Sequence, residues 1–129
     1  ENCYCEYHSI EPVLFPIVTI GVSFGLWLHR SYKWKLPAFL LIIIACFNNA
    51  DWTAVHNTAA ILFFILSTYI MINDKRFKMF GIISIIVYPL LFLNTEQNLF
   101  IFEAIQIPIL STYHLARVIY LLKLKNKLN

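Results

Sequence analysis

NNADWTAVHNTAAILFFILSTYIM, residues 48–71, is the stretch whose reading decides how this chain folds. It opens as a polar, aromatic turn carrying Asp51, Trp52, His56 and Asn57, then continues almost wholly apolar to Ile72. A transmembrane helix leaves a water-facing loop in this way, with an aromatic ring at headgroup level and ionisable groups near its mouth.

Composition extends that reading to the whole chain. With 129 residues, 60% of them hydrophobic and 13% charged, the polar surface is too small to cover a soluble core. The expectation is therefore all-α: a polytopic transmembrane helix bundle of about five spans forming a single domain over residues 1–129. Three glycines and no Ser/Gly-rich run leave no flexible linker, and no internal repeat is visible. A formal charge of +3 fits membrane orientation better than nucleic-acid binding, so no nucleic-acid partner is expected. The abundance of Ile, Lys, Asn and Phe hints at an AT-rich bacterial genome, hence a multi-pass protein of the bacterial inner membrane. The chain opens on Glu1, as it would after removal of a leader or below a further upstream segment.

Taken in order, the apolar runs predict spans over about 12–30, 36–50, 53–72, 77–93 and 99–122. Pro16 suits a late helix start or a kink in the first span, and Gly21 with Gly25 makes a GxxxG pair open to close helix approach. The second run is short for a bilayer about 30 Å thick. Short connections between the spans predict an up-and-down bundle.

Alternating the spans puts all ten cations, Arg30, Lys33, Lys35, Lys75, Arg76, Lys78, Arg117, Lys123, Lys125 and Lys127, on one face. The positive-inside rule makes that face cytoplasmic, giving an N-out/C-in orientation. Only Asp74 among the seven acids joins them. Cys3, Cys5 and Cys46 then fall on the outer side, where disulfides persist. Cys46 bridged to Cys3 or Cys5 would staple the N-terminal segment over the bundle; the plain alternative is free thiols. A Cys3–Cys5 bridge would be strained, and Cys3, Cys5 and His8 lack a fourth ligand for a metal.

At about 100° per residue, Glu103, Gln106, Leu110, His114 and Arg117 share one stripe of the last span, which must turn inward because polar groups are costly in hydrocarbon. The stripe serves either to fix helix register or to line a site. In the second case Glu103 faces Asp51, His56 and Asn57 at the outer end, with Gln106 below them and His8 or Ser9 above. Asp51 would orient or charge His56, and the carboxylate–imidazole pair suits either acid–base work or the binding of a lipid headgroup.

Sharper chemistry finds no support in the spacing. His114 follows Glu103 by eleven residues, roughly 16 Å along a helix, so His56 and His114 cannot share zinc or haem. His29 reads as an interfacial residue beside Arg30. No phosphate loop, GxSxG elbow or HExxH motif occurs, and no metal or other cofactor is expected.

The residue 48–71 stretch resembles a segment of the Frag/DRAM/Sfk family of membrane proteins, in which a polar turn precedes a histidine, small residues and a Phe-rich helix; His56 is the matching histidine. YHSIEPVLFP, residues 7–16, is similar to that family's lumenal segment, and FEAIQIPILSTYH, residues 102–114, to its last helix with a glutamate, here Glu103. The resemblance implies a six-helix protein with both termini cytoplasmic, whose first helix would lie upstream of Glu1. It also implies a link to autophagy modulation or to remodelling of GPI-anchor lipids, without assigned catalytic residues, so enzymatic activity stays an open expectation.

Two functions follow as expectations. One is a Frag/DRAM/Sfk-type protein engaging a lipid or lipid-linked substrate at the outer leaflet. The other is a non-catalytic accessory subunit of a larger membrane complex. Membrane lipids are the expected partners in the first case, other membrane protein subunits in the second.

Overall fold

A computed structural model describes residues 14–29, 31–47, 49–92 and 98–128; the side chains of residues 49, 50, 91, 92, 98–100 and 128 are not described. All regular structure among the described residues is helical. The helices are α1 (Leu14–Trp27), α2 (Lys35–Cys46), α3 (Asn49–Ile72), α4 (Lys78–Val87) and α5 (Asn98–Leu128). Short 3₁₀ turns at Tyr32–Trp34 and Tyr88–Phe92 precede α2 and follow α4. Each helix packs on its sequence neighbour, as short connections require, and α5 also touches α3.

Helix boundaries follow local chemistry. Pro16 lies in the first turn of α1, where a missing N–H costs nothing, so the helix accommodates it. The helical hydrogen bonds of α3 begin at Asn49, but Trp52 has φ −129° and ψ 41°, so regular helix starts one residue later, at the expected position. The α4 helix stops short of the expected 77–93 run because Pro89 has no N–H to offer the Ile85 carbonyl. That carbonyl takes the Tyr88 N–H instead, and the tighter 3₁₀ turn follows. Helix α5 carries Pro108 within it and continues to Leu128, beyond the expected end.

Close approach occurs at a glycine the sequence pattern did not mark. A Cβ on Gly81 would meet Ile72 Cγ1 at 2.5 Å and the Ile72 backbone nitrogen at 2.6 Å, so only glycine lets α4 start this close to the end of α3. Gly21 and Gly25 are exposed, and a Cβ on either would meet nothing within 4 Å. The GxxxG pair is therefore not used for packing within the described chain.

Apolar side chains occupy both the interior and the outer faces. Apolar side chains are exposed on every helix, among them Phe24, Phe39, Ile65, Ile86 and Leu122, with Ile86 at 70%. Inside lie Ser23, His56, Ser67, Thr68, Ser84, Glu103 and Gln106, beside Trp34, Phe63, Phe64, Met71, Phe102 and Tyr113. Ser23 Oγ donates to the Ala38 carbonyl at 2.7 Å, tying α1 to α2 where both are closely packed. By length and composition, two helical segments can cross a membrane: Asp51–Ile72 (22 residues) and Ile101–Lys127 (27 residues).

Candidate functional site

At one end of the bundle, α2 finishes at Cys46 and Phe47 turns to extended geometry, φ −107° and ψ 105°. Phe47 still donates its N–H to the Ile43 carbonyl at 2.9 Å, while its own carbonyl leaves the helical pattern. His56, one regular turn into α3, brings Nδ1 within 2.7 Å of that oxygen. A carbonyl can only accept, so Nδ1 carries the proton and donates. This turns Nε2 into the nitrogen that accepts in the neutral ring and donates in the charged one. Trp52 packs edge-on against Phe47, ring centroids 5.6 Å apart, bracing the same connection.

His56 is 2% exposed and Glu103 7%, and both line one cavity of about 130 Å³. Around them the wall is apolar: Phe15 from α1, Leu41 and Ile44 from α2, Phe63 and Phe64 from α3. Thr19 is the remaining polar contributor, and its hydroxyl donates to the Phe15 carbonyl at 2.8 Å. Residues far apart in sequence thus place an imidazole and a carboxyl along one mostly apolar, partly open cavity. Such a cavity can bind an apolar chain and engage one polar group attached to it.

The other expected members separate from this pair. Asp51 is exposed in the first turn of α3 and Asn57 is half-buried; neither lines the cavity. His56 Nδ1 is held by the Phe47 carbonyl. Gln106, 2% exposed, also faces elsewhere. Its Nε2 donates to the Ser84 carbonyl at 2.9 Å while its Oε1 accepts from Ser84 Oγ at 2.7 Å. Thr68 Oγ1 joins the network at 2.6 Å from Ser84 Oγ and 3.1 Å from the Tyr88 hydroxyl. Part of the polar stripe therefore fixes helix register, and part lines the cavity. Cys46 is an exposed free thiol. Cys3 and Cys5, its expected partners, lie outside the described residues, as do His8 and Ser9.

A second polar cluster forms at the opposite end, where the basic connections gather. Asp74 Oδ1 accepts the Arg76 N–H at 3.2 Å and shapes the α3–α4 turn. Its Oδ2 accepts the Tyr113 hydroxyl at 2.9 Å and sits 3.5 Å from Arg117 Nε. Arg117 also donates to the Tyr113 oxygen at 3.1 Å, and Arg76 stacks 4.0 Å from the Tyr120 ring centroid. Asp74, the acid that broke the charge pattern, is thus the counter-charge anchoring α5. His114 packs edge-on to the buried Trp34 ring at 4.4 Å and lies 6.2 Å from His29. His29 follows the end of α1, its ring centroid 6.2 Å from that of Trp34. His29 belongs to this aromatic cluster, away from His56. Among the described residues, no group of three or more His, Cys, Asp or Glu is placed to hold a metal ion.

No protein-family model matches the chain, and neither the curated proteins nor the solved structures give a match.

Proposed function

We propose that this chain is a multi-pass membrane protein of Frag/DRAM/Sfk type, N-out/C-in, that engages a lipid or lipid-linked substrate at the outer leaflet through the His56–Glu103 cavity. The observation carrying this reading is that an imidazole and a carboxyl, nearly fully buried, share one cavity whose remaining wall is apolar but for Thr19. Hydrocarbon around the bundle accounts for the exposed apolar faces on every helix, which cost little in lipid, and for the polar groups that turn inward beside the apolar core. Helices α1, α2 and α4 are short, so they cross with the help of their flanking turns or where the bilayer thins. The bacterial inner membrane is the compartment proposed. Within the cavity the acyl chain lies against Phe63, Phe64 and Ile44, and its polar end meets His56 and Glu103.

Native mass spectrometry of the protein extracted in mild detergent tests this. Wild type is expected to retain a lipid, and retention is expected to fall in His56→Ala and Glu103→Gln. Ala60→Phe, which fills the cavity without removing either polar group, should abolish it. A protein that carries no lipid, or retention indifferent to all three changes, overturns the reading.

A second reading is supported by α1. Its Gly21–Gly25 face is exposed with open space above it, a surface on which a helix of another chain can lie closely. As a non-catalytic accessory subunit, the chain would use this face for assembly with other membrane protein subunits. Gly21→Leu should then disrupt the complex while leaving lipid retention intact.

A further inference from the structure

At the end where the basic connections gather, a groove of about 360 Å³ runs between α3 and the segment that leads from the 3₁₀ turn into α2. Tyr32, Lys33 and Asn73 line the end nearer the basic connections, which is its mouth; Leu36, Leu66 and Ile70, with Pro37 and Tyr69, line the stretch further along the helices, which is its floor. Leu66, Ile70 and Asn73 follow at the helical spacing that keeps one face, so apolar floor passes into polar mouth over about 10 Å of helix. The order is that of a phospholipid: charged head at the aqueous end, chain below.

Charge at the mouth selects the head. Arg117 is committed to Asp74, Arg76 to the Tyr120 ring, and Lys35 lies 5.6 Å from the Trp27 ring centroid. Lys33 is exposed at the groove mouth and makes no hydrogen bond, ion pair or ring contact among the described residues. Its ammonium is left to answer a negative group arriving from outside the chain. Asn73 Nδ2 already donates to the Tyr69 carbonyl at 2.8 Å, which fixes the amide at the rim.

We infer that this groove holds an anionic phospholipid of the inner leaflet, its phosphate at Lys33 and one acyl chain along Leu36, Leu66 and Ile70. The inference rests on the membrane reading above but not on the His56–Glu103 cavity, which lies at the other end of the bundle.

The full chain is reconstituted in vesicles of equal phosphatidylcholine and phosphatidylglycerol, flotation confirms insertion, and native mass spectrometry after detergent extraction compares the retained lipids. Wild type should be enriched in phosphatidylglycerol. Lys33→Gln should lower that enrichment about five-fold, the equivalent of the ~1 kcal/mol carried by one basic residue near an anionic surface. Lys35→Gln, outside the groove, should leave it unchanged, and Ile70→Trp should displace the lipid altogether. Equal retention in wild type and Lys33→Gln by an inserted protein overturns the groove and spares the membrane reading. A lipid-free dimer lost in Ile70→Trp overturns it in favour of a contact between copies, and failure to float overturns both.

Discussion

His56 and Phe47 are joined across the α2–α3 connection by a 2.7 Å hydrogen bond from Nδ1 to the backbone carbonyl. One contact thereby satisfies a carbonyl that has left its helix, fixes the imidazole tautomer and directs the other ring nitrogen. The geometry sets an order among substitutions at this position. Asparagine places an amide donor near the place of Nδ1, whereas alanine leaves the carbonyl without its partner. His56→Ala should cost about 1–3 kcal/mol of stability, and His56→Asn distinctly less, in detergent unfolding followed by circular dichroism. Equal losses would show that the Phe47 contact contributes nothing.

Gly81 lies where α4 begins against the Ile72 backbone. Because the obstacle to a Cβ is the Ile72 backbone rather than a side-chain tip, Gly81→Ala should destabilise by about 1–3 kcal/mol or more, as overpacking does. Gly25→Ala should leave the stability of the isolated chain near wild type, since its Cβ meets open space. Thermal unfolding of the two variants in one detergent gives the comparison.

Gln106 and Ser84 exchange two hydrogen bonds across α4 and α5. A double-mutant cycle with Gln106→Leu and Ser84→Ala should return a coupling of about 0.6–1.7 kcal/mol, the range for interhelical bonds in lipid. Lipid retention should respond to Glu103→Gln and not to Gln106→Leu, because only Glu103 lines the cavity.

Tyr113, Asp74 and Arg117 form one unit, so their removal should be less than additive. Tyr113→Phe leaves the Asp74–Arg117 pair in place, while Asp74→Asn withdraws the charge that both partners address. Asp74→Asn should therefore loosen α5 more than Tyr113→Phe does, read as hydrogen exchange across residues 113–120.

Much of this was legible in the residues themselves. Apolar runs broken by polar turns dictate helices of about the observed number and order, and Pro89 marks where one of them must tighten. The stripe from Glu103 to Arg117 announced an inward polar face, because 100° per residue is a property of the helix alone. Periodicity gives direction but not distance. Whether Gln106 meets a cavity or Ser84, and whether Gly81 or Gly25 lies under a neighbouring helix, depends on how helices slide and rotate against each other.

Sequence by itself determined the helical structure of the described residues, the charge asymmetry of the chain and the inward side of its last helix, since these rest on local hydrogen bonding and on the pairing that buried polar groups require. Tertiary structure alone decided that His56 and Glu103 share a cavity, that Phe47 holds the imidazole, and that Asp74 anchors α5. Those are relationships between atoms distant along the chain, fixed by packing to a few ångströms, and no local rule carries that information.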